Sequence, residues 1–403
     1  MSHLRRHRMW LPAVGATLIL ASQFCGAGSL YSSKGIGLWR IYPSGQGAGM
    51  GGVGIALMDN LTINLCNPAA RYPAGVTRVA TDVRFDFSTT TSASGSAGGH
   101  YGQAGGFAML IPLGKRATFS AALGPVSDVR YAAAHEDTLP GYQFSRQVTG
   151  EGGLNQGEFS FFLMPVRYLY VGASAHLYFG GIRETWETSF SSTDFVSSKD
   201  RFSTHLEGFG GTFGVVLRPA ARWNIGAVVS PPAELKVATD IKHAFRGSDS
   251  TLDKETRLPL RWGIGVTYQW PFGLTVGGDY YRQQWKDVVP IWEARYAYAN
   301  SAYLMIGSEF VPSRRLTDPY LKKVAYRAGF RYGRLPLLTG DGRQLREYVF
   351  TIGCGLPFFS FLGRVDVAYE WAFRGSLPQD PVEERMHRLL ISVAGAERWF
   401  QRQ

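Results

Sequence analysis

From about residue 76 onward, apolar side chains recur at every second position, which is the period of a β-strand with two different faces. The clearest segment covers residues 260–270. Its even positions are Leu, Trp, Ile, Val, Tyr and Trp, and its odd positions are Arg, Gly, Gly, Thr and Gln. Residues 169–179, 324–331 and 364–371 divide in the same way. The pattern predicts strands with one large apolar face and one face of glycine and polar residues.

The chain contains fourteen segments of this kind, joined by connections that alternate in length. Residues 112–116, 165–168, 218–222 and 271–273 form short connections, whereas residues 127–156, 187–202 and 231–257 are long and polar. Residues 311–323 are expected to hold a small helix or an irregular loop. An even strand number with this asymmetry is typical of outer-membrane barrels. The segments are centred near residues 82, 107, 121, 162, 174, 211, 227, 264, 279, 306, 328, 352, 368 and 392.

A soluble β-sandwich also alternates, but its polar face would be solvated and rich in Lys and Glu. Here the polar faces are rich in glycine. Trp223 and Trp270 stand beside short connections, and Trp186 and Trp285 stand beside long ones, as expected for two aromatic belts at membrane interfaces. These features favour an all-β fold: a 14-stranded antiparallel transmembrane β-barrel, with the first part of the chain as a plug inside it.

Composition supports a membrane barrel and excludes other classes. Only 18% of the residues are charged, and the chain has 49 glycines and 55 aromatic residues in 403. No apolar run reaches the roughly 18 residues that a membrane-spanning helix needs. The net charge of +11 is diffuse, without a run of Lys and Arg, so nucleic acid is not an expected partner, whereas outer-membrane lipid is.

The N-terminus has the order of an export signal. Arg5, Arg6 and Arg8 precede an apolar stretch of about a dozen residues, followed by small ones. Phe24 before Cys25 disfavours a lipoprotein anchor, and we expect cleavage near Ala27. Removing residues 1–27 takes three arginines and lowers the net charge from +11 to +8.

Two cysteines then remain, Cys66 and Cys354, in a compartment where they could pair. Cys354 shares its strand face with Phe350, Ile352 and Leu356. If that face looks outward, no disulfide to Cys66 can form.

The polar strand faces also carry charges of both signs, which inside a barrel must be paired or hydrated. Either these ions hold one another and a plug in place, or together they line a polar path or a ligand site. The sequence leaves both interpretations open. The set comprises Asp82, Arg84, Asp86, Arg261, Asp279, Glu309, Arg327, Arg331, Arg364, Asp366 and Glu370.

A glycine-rich stretch, residues 45–60, precedes the first strand and is followed by Asn67-Pro68-Ala69-Ala70. It resembles the N-terminal hatch of the FadL-type outer-membrane transporters, and residues 49–56 are closest in wording to PorV-like members. The C-terminal residues 388–400 are similar to the closing strand of that family. The motif residues are Gly49, Gly51, Gly52, Gly54, Asp59, Asn67, Pro68 and Ala69.

With the signal peptide at residues 1–27, the chain is expected to hold a hatch at 28–75 and a barrel at 76–403, and the resemblance implies residues 29–39 as the mobile part of the hatch. Glycines permit positive φ and close backbone approach, so such a stretch can pack in a narrow lumen. Asn67 before Pro68 favours an extended or turn conformation. A phosphate-binding loop is excluded, because the stretch lacks a Gly-Lys-Ser/Thr ending and follows no buried strand.

The function that we expect is a passive outer-membrane channel for hydrophobic or amphipathic, fatty-acid-like small molecules in a Gram-negative bacterium. Apolar loop side chains would capture the ligand, although such side chains often only pack loops together. The aromatic candidates are Phe144, Phe190, Phe195, Phe245, Trp292, Tyr296 and Tyr298, and Arg146, Lys242 and Arg246 could meet a carboxylate.

The alternative is a PorV-like barrel that docks secreted proteins or secretion components without carrying solutes. In either case the C-terminal strand is expected to engage the barrel-assembly machinery. An enzyme is not expected, because the chain has no Gly-x-Ser-x-Gly and its histidines lack metal-ligand spacing. No cofactor or metal is expected. His176 is expected to face the lumen as a hydrogen-bonded filler.

Overall fold

A computed structural model describes residues 28–41, 44–72, 75–139, 142–192, 195–244, 250–289, 298–339 and 341–397. The predicted signal peptide, Phe245, Arg246, Trp292, Tyr296 and residues 398–403 lie outside these ranges. Within them, no helix has the length and apolar character needed to cross a membrane.

The structure is almost entirely β. Two short helices occur, α1 (Gly45–Gly49) and α2 (Tyr320–Lys323), the second within the connection predicted to hold one. Single 3-10 turns form at Leu30–Ser33, Pro68–Ala70, Trp285–Asp287 and Phe359–Phe361. The strands are β1 (Leu38–Trp39), β2 (Thr77–Ser92), β3 (Gly95–Pro112), β4 (Ala117–Pro125), β5 (Ser127–Leu139), β6 (Tyr142–Val166), β7 (Leu169–Phe190), β8 (Ser198–Ala220), β9 (Trp223–Ser230), β10 (Ala233–Lys242), β11 (Ser250–Leu258), β12 (Arg261–Gln269), β13 (Leu274–Gln283), β14 (Ser301–Phe310), β15 (Ala325–Leu338), β16 (Gln344–Phe358), β17 (Gly363–Arg374) and β18 (Val382–Glu397).

Strands β2 to β18 form one closed antiparallel barrel, because β18 pairs with β2. Three barrel strands are each interrupted and so consist of two consecutive segments. The first is β4 with β5, which both pair with β6, and the second is β9 with β10, which both pair with β8. The third is β11 with β12, of which β11 pairs with β10 and β12 pairs with β9. Each break has a proline, namely Pro125, Pro231 with Pro232, and Pro259, and proline cannot donate to a ladder. Counting each interrupted pair as one gives the fourteen predicted strands, and every predicted centre falls on one of them.

The alternating faces are oriented as the pattern predicts. Ile264 and Val266 are 55% and 39% exposed on the outside, whereas Gly263 and Gly265 between them are buried. Cys354 lies on the outer face, paired in register with Tyr326, and both Cys354 and Cys66 are free. The large apolar face therefore covers the outside of the barrel.

The predicted long loops are wrong in one respect: residues 127–156, 187–202 and 231–257 are mostly strand. They extend β6, β7 and β8 to between 22 and 25 residues, well beyond the roughly 10 that cross a bilayer. We call this extension, made of β5, β10, β11 and the adjoining parts of β6 to β8, the wing. The barrel end that carries it is the wing end, and the end where β2 begins and β18 finishes is the terminal end.

The aromatic belt at the terminal end includes Trp223, Tyr268 and Trp270. The ring centroid of Tyr268 lies 4.6 Å from that of Trp223 and 4.4 Å from that of Trp270. The predicted second belt is formed by other residues than expected. Trp285 is only 5% exposed, because the chain turns into the lumen after β13, and Trp186 lies on the wing, well above Phe179. The outer face at the wing end instead carries Trp262, Tyr280, Tyr332, Tyr348 and Trp371.

Candidate functional site in the lumen

Residues 44–72, here called the inner segment, lie against the inward faces of the strands. α1 begins at Ser44, whose hydroxyl accepts from the Gly47 N–H at 3.1 Å. Gly51 has φ +71°, and its N–H donates to Thr351 Oγ1 at 2.9 Å. A side chain at Gly51 would meet the Phe330 backbone at 2.7 Å, so glycine is required both by conformation and by space.

Inward-facing glycines of the strands receive the backbone of this segment. A Cβ at Gly307 would meet Met50 O at 2.2 Å, one at Gly329 would meet Gly51 N at 2.3 Å, and one at Gly172 would meet Pro68 C at 2.4 Å. Gly226 and Gly353 likewise face backbone, at Ile55 O and Gly49 Cα. Gly214, Gly263, Gly265 and Gly277 instead face side chains of the segment, namely those of Asn67, Ile55 and Val53. The glycines on the polar strand faces therefore make room for a second layer of backbone.

The motif residues after Gly52 act mainly through hydrogen bonds. The N–H groups of Gly54 and Ile55 both donate to Asp279 Oδ2, at 2.6 and 2.8 Å. Asn67, which is fully buried, donates to Ile55 O at 2.7 Å and accepts from the Ala69 N–H at 2.9 Å. Asn67 thereby caps the turn that Pro68 begins.

Asp59 joins the inner segment to a buried chain of charges. Arg364 pairs with Asp59 and with Asp366, Arg327 contacts Asp366 at 2.6 Å and Glu309 at 2.7 Å, and Gln46 donates to Glu309 at 2.9 Å. Burial alone would raise the pKa of Asp59, but the Arg364 guanidinium and the Leu61 N–H outweigh it and hold that pKa below its usual range. We call this set the charge ladder.

A second network of buried charges lies nearer the wing end. Arg388 contacts Asp86 at 3.0 Å and Glu370 at 3.3 Å, and Glu370 is 3.7 Å from Arg331. Of the charges predicted to face the lumen, ten are buried, and Asp82 is half-buried.

Several buried charges were not predicted. Arg374 pairs with Glu347 at 2.6 Å and Glu384 at 2.9 Å, and Arg71 pairs with Glu158. The signal was present, because Glu158 and Ser160 alternate with outward Phe159 and Phe161 as in the other strands. His176 Nε2 lies 2.8 Å from Thr212 Oγ1, where we expected a hydrogen-bonded histidine.

Residues 28–41, here called the N-terminal strip, lie in the wing half of the lumen. The Ser29 hydroxyl donates to Glu384 at 2.7 Å, and the Tyr31 hydroxyl donates to Val382 O at 2.7 Å. Ile36 packs in an apolar cluster with Leu235, Val237 and other inward residues of the wing. Strand β1 pairs with β5 at Asp128 and Ser127.

The pairing of β5 with β1 leaves an interruption in the wall, here called the seam. β3 pairs with β4 only from Phe107 to Pro112, and in the described ranges no backbone pairing joins its residues 95–106 to β5. Side chains bridge the seam instead. Tyr101 donates to Asp128 Oδ2 at 2.5 Å, and the Arg130 guanidinium lies 4.6 Å from the Tyr101 ring centre.

A cavity of about 180 Å³ lies behind the seam, bordered by Gly105 and Gly124 of the wall and by apolar groups that include Trp39 and Leu390. Three guanidinium groups line it. Arg84 is already paired with Asp86 and Asp128, which leaves Arg40 and Arg261. Within the described residues, no carboxylate lies within salt-bridge distance of either one. Arg40 donates to Gln103, and Arg261 donates to Tyr178 and stacks 4.5 Å from the Trp39 ring centre.

Desolvation, with the Arg84 guanidinium nearby, lowers the pKa of Arg40. Asp82 and Glu158 also border the cavity, and Glu158 is already paired with Arg71. The negative group of an amphipathic anion would supply Arg40 and Arg261 with a partner of opposite charge.

The predicted loop aromatics lie elsewhere. Phe144, Phe190 and Phe195 stack on one another at the wing tip, with centroids 5.7 and 5.1 Å apart, and Arg146 lies 5.1 Å from the Phe144 ring centre. Tyr298 packs against Trp285 in the lumen at 5.8 Å. The wing-tip rings contact one another, and none borders the cavity behind the seam.

This chain is similar in sequence to one protein family and in fold to several solved structures. The family model BamG matches residues 7–403. No curated protein sequence is significantly similar to the chain.

Among solved structures, a FadL homologue from Pseudomonas aeruginosa is similar with a TM-score of 0.64 and 15% identity, over 90% of this chain and 100% of that chain. The Ralstonia pickettii toluene transporter TbuX is similar with a TM-score of 0.60 and 16% identity, over 89% and 98%. The CymD monoaromatic hydrocarbon channel is similar with a TM-score of 0.57 and 15% identity, over 90% and 100%. These likenesses confirm the predicted FadL-type fold, and the finer likeness to PorV-like members stays a prediction.

Proposed function

Because the chain belongs to the BamG family and folds as a FadL-type barrel, we propose that it is an outer-membrane channel for small amphipathic molecules. In this proposal residues 1–27 are a cleaved export signal, residues 28–75 are the hatch, and the wing end faces the cell exterior. The observation that carries the proposal is the cavity behind the seam, where Arg40 and Arg261 have no carboxylate within salt-bridge distance among the described residues.

The seam supplies the route. Side chains close the wall there, and a side chain can change rotamer without breaking a backbone ladder. Gly105, Gly106 and Gly124 bring no side chains to the wall at this point. A molecule dissolved in the outer leaflet would therefore reach the cavity sideways. TbuX is a toluene transporter and CymD is a monoaromatic hydrocarbon channel, which supports a hydrophobic cargo.

The cavity narrows the ligand class. An apolar cavity of roughly 150 Å³ holds benzene, so a cavity of about 180 Å³ suits one substituted ring or a short acyl chain. Arg40 and Arg261 suit a carboxylate, since a planar guanidinium binds that group in a bidentate manner. We therefore propose small amphipathic carboxylates, such as aromatic acids, rather than long fatty acids.

The test is uptake by liposomes that contain the purified full-length protein. Ala122 borders the cavity, whereas its neighbour Ala121 faces outward. We expect Ala122→Trp to reduce uptake of labelled benzoate about tenfold or more and Ala121→Trp to leave it unchanged. Arg40→Gln with Arg261→Gln should lower benzoate uptake but spare toluene. Equal uptake by the Ala122→Trp variant and the parent protein, or by empty liposomes, would overturn the proposal.

The second candidate is docking to secreted proteins or to the barrel-assembly machinery. It is favoured by the family name, by the wing, and by the buried charge ladder that holds the inner segment. Co-purification of an assembly or secretion component with the full chain, lost when the wing tip of residues 186–202 is replaced by a short turn, would support it. Benzoate uptake that equals that of empty liposomes would then decide between the two candidates.

A further inference from the structure

The outer face of β13 to β16 carries a row of arginines directly above the aromatic residues of the wing end. The register aligns Arg282 of β13, Arg334 of β15 and Arg346 of β16 in one row, with Ala302 at the corresponding position of β14. Two residues lower, the same face carries Tyr280, Leu304, Tyr332 and Tyr348. The step from aromatic to basic takes about 7 Å along a strand.

Arg334 and Arg346 stand directly opposite each other on neighbouring strands. Like charges at such positions repel, since the Cβ atoms of a cross-strand pair are only about 5 Å apart. Both side chains are exposed. Among the residues that the structure describes, neither has a carboxylate within salt-bridge distance, and Arg334 contacts only the Tyr332 hydroxyl, at 3.4 Å. The pair is therefore a repulsive arrangement that an anion would relieve.

The two arginines line a surface cavity of about 340 Å³ between the β15–β16 hairpin and the connection from β17 to β18. Arg343 closes one side: it pairs with Asp341 and donates to Gln379 O at 2.7 Å. Asp380 is the opposing charge in this cavity, and its carboxylate accepts from the Ser376 N–H at 2.8 Å. Tyr348 forms the floor, with its ring 5.2 Å from that of Tyr332.

The depth of the cavity identifies the occupant. Below the tyrosines the outward residues are apolar, and Ile306, Phe350 and Ile352 are 51%, 51% and 63% exposed on the surface that meets hydrocarbon. Tyrosines mark the membrane interface, so the arginines lie at the level of lipid headgroups. On the orientation of the proposed function, in which the wing end faces the cell exterior, we propose that Arg334 and Arg346 bind a phosphate group of an outer-leaflet lipid, the lipid A part of lipopolysaccharide, with an acyl chain or sugar against Tyr348.

The experiment measures binding of three probes to the purified full-length protein in detergent: phosphorylated lipid A, the same lipid without its phosphates, and inorganic phosphate. We expect phosphorylated lipid A to bind best. Each basic residue near an anionic surface adds roughly fivefold in affinity, so Arg334→Gln and Arg346→Gln should each weaken binding about fivefold and the double variant about 25-fold. The matched control is Arg385→Gln, because Arg385 is exposed at the same end but already pairs with Glu383 at 2.8 Å.

A second readout separates binding from folding. Phosphorylated lipid A should raise the melting temperature of the parent protein and of the Arg385→Gln variant but not that of the double variant. Without lipid, the double variant should melt no lower than the parent, because only a repulsion has been removed. The proposal is overturned if phosphate-free lipid A binds equally well, or if the double variant keeps full affinity. Inorganic phosphate that binds as tightly as the lipid would identify a free-phosphate site instead and equally overturn the assignment.

Discussion

The inner segment and the N-terminal strip share one lumen but are held by different forces. The inner segment places its backbone against five strand glycines, at positions 172, 226, 307, 329 and 353, and joins the charge ladder through Asp59 and Gln46. The strip packs Tyr31 and Ile36 into apolar clusters, and the Ser29 hydroxyl donates a hydrogen bond to the Glu384 carboxylate. A strand glycine that contacts backbone leaves no space for a side chain, whereas apolar side chains packed against one another can rearrange.

This difference predicts that the two parts open independently. Local stability follows the burial and pairing of each region, so the strip should open at a lower free energy than the inner segment. A channel needs such a gradient, because a plug that is uniformly stable cannot make way for a ligand.

The largest effect is expected at the centre of the charge ladder. The Arg327 side chain has no exposure, and Arg327→Met leaves the buried Glu309 without its arginine and leaves Asp366 with Arg364 alone. Breaking such a pair costs about 3–5 kcal/mol. The measurement is the free energy of unfolding in detergent. Arg183→Met, which removes an exposed partner of Glu151, should cost less than about 1 kcal/mol. Equal losses would show that the ladder does not hold the inner segment.

The next effect is steric. In Gly329→Ala the new Cβ would lie 2.3 Å from Gly51 N, and backbone has to move, which costs about 1–3 kcal/mol. Gly395→Ala is the matched control, since no atom lies within 4 Å of its Cβ position. Thermal melting together with protease cleavage of the inner segment distinguishes the two variants. A Gly329→Ala protein as stable as Gly395→Ala would disprove the seating of the backbone.

A pH effect follows from Asp59. Its pKa is lowered in the folded protein, so the ionised carboxylate stabilises the fold above its unfolded value of about 4, and this contribution is lost as the pH falls through the folded value. The parent protein should therefore be more stable than Asp59→Asn by about 2 kcal/mol at pH 7, and this difference should begin to narrow below about pH 4. Melting curves of both proteins from pH 7 to pH 3 measure the gap. A gap that widens in acid would contradict the pairing with Arg364.

The smallest effect concerns the strip. Ser29→Ala removes the hydroxyl that donates to Glu384 and accepts from Arg374, which should lower the opening free energy of the strip by about 1–2 kcal/mol. Hydrogen–deuterium exchange should then rise in residues 28–41 and stay unchanged in residues 44–72. Ser33→Ala, whose exposed hydroxyl bonds only within the strip, serves as the control. Faster exchange in both regions would mean that they open together.

The period-two pattern was sufficient to predict the strands, because a barrel in a membrane places opposite solvents on the two faces of every strand. It failed in the wing, where Glu234 and Lys236 alternate with Leu235 and Val237 but the polar composition suggested a loop. The position of Trp285 could not be predicted, since it depends on the chain turning inward after β13.

The sequence also did not allow us to predict which buried charged side chains pair with one another. Arg327 and Asp366 lie on strands separated by β16, so their contact depends on barrel curvature and on the register of two ladders. The two uncompensated guanidinium groups at the cavity, Arg40 and Arg261, come from distant parts of the chain. Single residues could be assigned to a face, but not to one another.

The direct ladder between β2 and β18 constrains how the molecule is made. β18 pairs with β2 from Val382 to Glu397, and the inner segment is the stretch of chain just before β2. Once β18 has paired with β2, the side of the barrel is closed, and residues 44–72 can enter the lumen only through one of its two ends. We therefore expect the inner segment to take its place while the strands still form an open sheet, during biogenesis, so that a misplaced segment would be retained in the closed barrel.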